Sequence, residues 1–189
     1  MAKYTQQAIV QTFLDILKNK SLDKITVKDI VEQAEINRNT FYYYFEDIYD
    51  LLDYIFKEEV RIVLSEAKEG CTFYEEYVRA ASILINNRQA IRHIYQSKSH
   101  YIIVDYLARV TEAFVERFVI QAAGEYELCE EGICYITRFY SAAIVGYTLH
   151  WIEEGMPAYR EGLLKMISGS FEATIDDMIR DYIRQSKEK

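Results

Sequence analysis

The sequence predicts an all-α protein of about nine helices, on three observations. Residues that break helices are scarce: 189 residues contain one proline, Pro157, and seven glycines, the first of them Gly70. Ordinary usage would supply roughly 9 prolines and 13 glycines in this length, and sandwiches and barrels depend on them for turns. Half of the residues are hydrophobic, ample for a packed core, and the apolar positions recur with helical spacing. No strand-like alternation, internal repeat or low-complexity tract competes with that pattern.

Each element follows from local chemistry. Thr5 is a suitable N-cap for a first helix whose apolar set is Ile9, Phe13, Ile16 and Leu17, ending near Asn19. Ser21 to Ile25 makes a polar connection with two apolar anchors. Thr26 caps a short second helix in which Val27, Ile30, Val31 and Ala34 lie opposite Lys28, Asp29, Glu32 and Gln33. Glu35-Ile36-Asn37 interrupts it, and Asn37 caps a third helix from Arg38 to Phe45. Asp47 with Asp50 starts a long fourth helix carrying Leu51, Leu52, Ile55, Phe56, Val60, Val63 and Leu64, which ends around Gly70. Further helices are expected over Phe73 to Asn86, Arg88 to Tyr95, Tyr101 to Ala122, Ile133 to Glu154 and Ala158 to Arg184, with Gly124, Gly155 and Pro157 at the breaks.

The formal charge of -8 argues against nonspecific coating of nucleic acid or membranes, which needs a basic field. The charge is unevenly spread. Residues 1 to 45 hold six basic and five acidic groups, the remainder 16 and 25. The start, Met-Ala-Lys-Tyr-Thr-Gln-Gln, lacks the pattern of a secretory signal. The longest uncharged run, Phe139 to Ile152, has 14 residues, short of the roughly 20 that span a bilayer. A cytoplasmic location with no membrane partner is expected. Cys71, Cys129 and Cys134 have no paired spacing, which suggests reduced thiols, expected as buried small hydrophobes rather than metal or redox groups.

Catalytic apparatus is not visible. There is no Glu-x-x-His pair, no His-Glu-x-x-His and no Gly-rich phosphate loop, and His93, His100 and His150 stand apart from one another. The chain is expected to be no enzyme, with neither metal nor cofactor.

The second and third helices form a helix-turn-helix pattern. At 100° per residue, Phe41 and Phe45 share one side of the third helix; the opposite side centres on Tyr43, flanked by Asn39 and Thr40. Arg donates twice to guanine, Asn pairs with adenine, Thr meets a thymine methyl and Tyr hydroxyls reach phosphate. An ordinary helical hairpin would also bury Phe41 and Phe45, but three consecutive tyrosines on one short helix cannot all point inward.

Thr26-Val27-Lys28-Asp29-Ile30-Val31-Glu32-Gln33-Ala34, then Ile36-Asn37-Arg38-Asn39-Thr40-Phe41-Tyr42-Tyr43-Tyr44-Phe45 and Leu51-Leu52, resemble the DNA-binding domain of TetR-type (TetR/AcrR) transcriptional regulators. Gly146, Trp151, Gly155 and Met156 resemble the C-terminal domain of a Firmicutes subgroup with a Gly-x4-Trp-x3-Gly-Met motif. The resemblance implies a DNA-binding domain over 1-47 and a helical effector-binding and dimerisation domain over 48-189. It implies a ligand-responsive repressor that binds a palindromic double-stranded DNA operator as a homodimer and is released by a small-molecule effector. Arg38, Asn39, Thr40 and Tyr43 would read bases, and Thr26, Lys28, Tyr42 and Tyr44 would position phosphates. Two residues depart from the family: Glu35 stands where the turn usually has Gly, and Ile48 where the start of helix 4 usually has a phosphate-binding Lys. The acidic balance and Ile48 keep a second possibility open, a helical sensor or coregulator acting through a protein partner.

In the larger domain Ile136, Tyr140, Ala143, Ile144, Tyr147 and Trp151 form one stripe, suited to a dimer seam or equally to burial within one subunit. Phe56, Tyr95, Tyr106, Phe114 and Tyr140 line an effector pocket or fill a core; helical spacing is compatible with both.

Overall fold

The computed structural model describes residues 2–65, 70–157 and 161–187. Among these residues are nine α-helices and no strand: α1 (Ala2–Leu17), α2 (Val27–Gln33), α3 (Arg38–Tyr44), α4 (Ile48–Ser65), α5 (Phe73–Asn86), α6 (Arg88–Tyr95), α7 (Tyr101–Ala122), α8 (Glu130–Glu153) and α9 (Glu161–Lys187). The all-α expectation holds, and α5, α6 and α7 begin and end where the sequence places them. α1 starts at Ala2, so Thr5 lies within the helix and does not cap it. α8 starts ahead of Gly132, a residue chosen by close approach: a Cβ there would lie 2.6 Å from Tyr182 Cε1 and 2.5 Å from Leu128 Cδ1. The expected run of the fourth helix from 66 to 69 and the expected start of the last at Ala158 lie outside the described residues.

Packing divides the chain into two units, Met1–Ile62 with Asn86–Tyr106, and Val63–Ile85 with Leu107–Lys189. The sequence places its boundary at 47/48; the packing instead keeps most of α4, and all of α6, with α1 to α3. The reason is a shared core. Ile9, Phe13 and Leu17 of α1, Ile30 of α2, Phe41 of α3, and Leu51 and Leu52 of α4 are all buried, and the Phe45 and Tyr54 rings lie 5.4 Å apart. α6 packs on α1, where His93 Nδ1 donates to the Leu17 carbonyl oxygen (2.6 Å). The Lys98 amide donates to both carboxylate oxygens of Asp23 (3.3 Å each).

The second unit has an aromatic centre. Phe73 stacks on Phe171 with ring centres 4.1 Å apart, Phe114 and Phe118 meet the same ring, and Tyr140 lies edge-on to Phe171. Burying one such ring stabilises the fold by about 1.5–3 kcal/mol. Beside it, the buried Glu76 carboxylate pairs with Arg79 (2.5 Å) and Arg117 (3.5 Å). Burial pushes the Glu76 pKa up, but the hydrogen bond from Arg79 and the two guanidinium charges outweigh it and hold the carboxyl below its ordinary value.

The cysteines correct the sequence expectation. Cys129 and Cys134 are exposed and Cys71 is only half-buried. Cys134 follows the outward side of α8, beside Tyr135 and Arg138, so none of the three fills the core.

Candidate nucleic-acid interface

The reading surface starts at two helix caps. In α2 the Thr26 hydroxyl accepts from the Asp29 amide (3.2 Å), and the Asp29 carboxylate accepts from the Thr26 amide (2.8 Å), a reciprocal capping box. The Thr26 hydroxyl also donates to Asp29 (2.7 Å), and Lys20 closes on the same carboxylate (2.8 Å). The Lys20 ammonium, then the Thr26 hydroxyl and amide, bring the Asp29 carboxyl down to a pKa of about 2. To donate to a phosphate, the Thr26 hydroxyl must leave Asp29. The amides of Val27 and Lys28, in the first turn of α2, have no intrahelical acceptor and face no such competition. Lys28 is exposed and sits 3.6 Å from Glu32.

In α3 the Asn37 side chain accepts from the Thr40 amide (2.8 Å) and from the Thr40 hydroxyl (3.0 Å). The cap thereby holds Thr40 half-buried with its hydroxyl engaged, leaving its methyl group as the part suited to a thymine methyl. Phe41 is fully buried and Phe45 nearly so, their rings 6.0 Å apart. Anchored on that side, α3 turns Arg38, Asn39, Tyr42 (54 % exposed) and Tyr43 (79 % exposed) to solvent. Tyr44 is half-buried and packs edge-to-face with Tyr43 at 4.9 Å.

The turn that sets the angle between α2 and α3 has an unusual cost. The Ile36 amide reaches back to the Val31 carbonyl (3.0 Å), the six-to-one bond of a Schellman turn, and Glu35 takes the left-handed position with φ 52°. A side chain there costs about 1 kcal/mol relative to Gly. Downstream, Asp47 accepts from the Tyr49 and Asp50 amides (2.8 Å each), while Asp50 reaches back to the Glu46 amide (3.0 Å). Ile48, the first residue of α4, is half-buried and offers no cation to a phosphate.

Two families of known proteins match this chain. The family described as "Bacterial regulatory proteins, tetR family" matches residues 10–55, and "Transcriptional regulator C-terminal region" matches residues 71–173. The chain belongs to the TetR family. It is therefore a transcription regulator with a DNA-binding domain, and no enzyme. Among curated proteins, this TetR-family chain is 24% identical over 154 residues to the HTH-type dhaKLM operon transcriptional activator DhaS of Lactococcus lactis subsp. lactis (strain IL1403). That match covers 80% of this chain and 81% of the relative. It is 22% identical over 95 residues to the HTH-type transcriptional regulator YxbF of Bacillus subtilis (strain 168), covering 49% of this chain and 23% of that protein. A solved structure, the dihydroxyacetone kinase operon activator DhaS, superposes with a TM-score of 0.74 at 23% identity, over 90% of this chain and 96% of that one. The superposition shows a shared fold.

The remaining sequence-derived sites lie as follows. Phe56 and Tyr106 are buried and stack at 4.4 Å; burial first, then the Glu59 charge, drives the Tyr106 phenol well above its ordinary pKa. Tyr95 is half-buried in the same unit. Phe114 belongs to the other unit, where its ring meets Phe73 and Tyr77. Of the proposed seam, Ile136, Tyr140 and Ile144 are buried in the chain's own core, Trp151 is half-buried and Tyr147 is exposed. On the other side of α8, Ala143 and Tyr147 of that stripe are exposed together with Tyr135, Phe139, Ala142 and Gly146, which sequence reasoning left out of the seam. A signal was present: these positions follow the same three-to-four spacing as the buried stripe. No described helix is long and apolar enough to cross a membrane.

The Gly155-Met156 pair has a structural role of its own. The Met156 amide bonds the Trp151 carbonyl (2.8 Å) and the Gly155 amide that of Ile152 (3.0 Å), another Schellman turn, with Gly155 at φ 81°. Met156 is buried beyond it, and the Trp151 indole donates to the Pro157 carbonyl (3.1 Å).

Proposed function

We propose that the chain is an effector-responsive transcription regulator that reads a palindromic operator as a homodimer, with α3 in the major groove. The observation that carries this reading is the two-sided α3. Phe41 and Phe45 hold it down, and Arg38, Asn39, Thr40 and Tyr43 offer base-reading chemistry on the other side. Thr26, Lys28, Tyr42 and Tyr44 set the register on the phosphates. In a dimer, half-sites lie about 34 Å apart, one turn of duplex.

The outward side of α8 supports self-association. Tyr135, Phe139 and Tyr147 are each more than half exposed. Between them, Ala142, Ala143 and Gly146 leave room for a second helix, and a Cβ on Gly146 would meet nothing within 4 Å. In the first unit, the Phe56, Tyr95 and Tyr106 aromatics are the residues to probe for effector binding, and Phe114, in the second unit, is a separate position to probe.

Repression needs only that an occupied operator exclude polymerase. The DhaS relative is an activator by name, which favours the opposite direction as a second reading for this chain. A reporter fused to the chain's own upstream region separates them, since deletion raises output for a repressor and lowers it for an activator. The DNA-binding reading itself is tested by mobility shift on that region at low salt; no shift at micromolar protein would leave the protein-partner coregulator as the better account.

A further inference from the structure

We propose that the turn between α6 and α7 supplies an additional phosphate-binding cation, Lys98, which acts with Lys24 on the DNA backbone beside the cap of α2. The inference rests on the DNA-binding reading above and extends it to a part of the chain remote from the helix-turn-helix.

The carrying observation concerns which cations are already engaged. Among the described residues of the first unit, Lys18 lies on Asp15, Lys20 on Asp29, Lys28 near Glu32, Lys57 on Asp53 and Arg61 on Glu58. Lys24 and Lys98 are exposed and lie within ion-pair distance of no described carboxylate. The fold brings them together. The Lys98 amide is held by the Asp23 carboxylate across 75 positions of sequence, and Lys24 is the next residue. Asp23 lies three residues before Thr26, so their Cα atoms are within about 11 Å.

Charge points the same way. No Asp or Glu occurs from Tyr77 to Val104, a stretch that holds Arg79, Arg88, Arg92 and Lys98. Packing puts its later part, Asn86–Tyr106, in the unit that carries α3. That unit holds 11 basic and 12 acidic residues, the other 11 and 18, so the near-neutral unit is the one that approaches a polyanion at lower electrostatic cost. Where Ile48 offers no cation, Lys98 and Lys24 offer two. A phosphate backbone fits them because each is a flexible point charge with no fixed acceptor geometry.

The test uses the full-length protein, titrated by fluorescence anisotropy against a labelled duplex of its own upstream region and against an unrelated duplex of equal length, from about 50 to 200 mM salt. Lys98→Ala keeps the backbone donor to Asp23 and removes only the ammonium. The expected result is that the slope of log affinity against log salt becomes shallower by about 0.9 on both duplexes, and by about twice that with Lys24→Ala added. Lys98→Arg is expected to restore the slope, and Lys187→Ala, at the end of α9, to leave it unchanged. An unchanged slope for Lys98→Ala overturns the proposal, as does a loss confined to the operator duplex, which would mean base or shape readout. Failure of the unmodified protein to bind either duplex overturns the DNA-binding reading as well.

Discussion

α3 and α8 each hold aromatic rings out in water, and the residues among those rings differ. On α3, Tyr42 and Tyr43 stand with Arg38 and Asn39; on α8, Tyr135 stands near Arg138, but Phe139 and Tyr147 stand with Ala142, Ala143 and Gly146. A phenol beside a guanidinium and an amide gives hydrogen bonds to base edges and phosphates. On α8 the small residues between Phe139 and Tyr147 allow close approach of a second surface, which a packed helix interface uses best. Exposed aromatic residues therefore carry no single meaning, and their neighbours decide between nucleic acid and protein.

Breaking the α3 side is expected to have the largest effect. Arg38→Ala with Tyr43→Ala is expected to weaken binding to the operator by about 2–4 kcal/mol, on the order of 30- to 1000-fold, at about 1–3 kcal/mol per base contact. Sedimentation should show the same oligomer as the unmodified chain; a change of oligomer would mean that the two sides are not separable. Breaking the α8 side comes next. Phe139→Glu places a charge on the outward face and is expected to weaken self-association by about 1–3 kcal/mol. Because Phe139 is exposed in the single chain, the melting temperature at high dilution should hold, and a collapse of the fold there would show that the ring is core.

Smaller changes sharpen the contrast. Ile48→Lys adds one cation at the start of α4 and is expected to steepen the salt slope by about 0.9 while leaving self-association alone. Glu35→Gly relaxes the left-handed turn and is expected to stabilise the fold by about 0.5–1 kcal/mol, or some 1–4 °C in melting temperature. A fall in stability would show that the Glu35 side chain contributes more than its backbone costs. The smallest effect is acid titration of the α2 cap. The Asp29 carboxyl has a pKa of about 2 in the fold against 3.8 ordinarily, so its contribution is present above about pH 4 and is lost as pH falls towards 2. Far-ultraviolet dichroism of Asp29→Asn should show a flatter profile over that window.

Much of the fold was legible. The helix boundaries of α5, α6 and α7 and the Asn37 cap come from local rules of spacing and capping, which act within one or two turns. Glu35 was legible as an anomaly, because a Schellman turn demands a left-handed residue whichever side chain is present. The sequence was less informative where two faces of one helix are both apolar. α8 reads as a single stripe through Ile136, Tyr140, Ala143, Ile144, Tyr147 and Trp151, yet Ile136, Tyr140 and Ile144 meet the chain's own core while Ala143 and Tyr147 fall on a second, exposed side. Hydrophobic spacing reports that a face is apolar and says nothing of what covers it.

By itself the sequence determined the class of the protein, its helix-turn-helix and the residues on the outside of α3, since each depends on neighbours three or four positions apart. Only the tertiary structure decided that Asn86–Tyr106 belongs with the DNA-binding unit, that Asp23 holds the Lys98 amide, and that the exposed side of α8 is Tyr135 to Tyr147. These are contacts between residues far apart in the chain. Their partners are chosen by how whole surfaces fit, a quantity that no local pattern of residues contains.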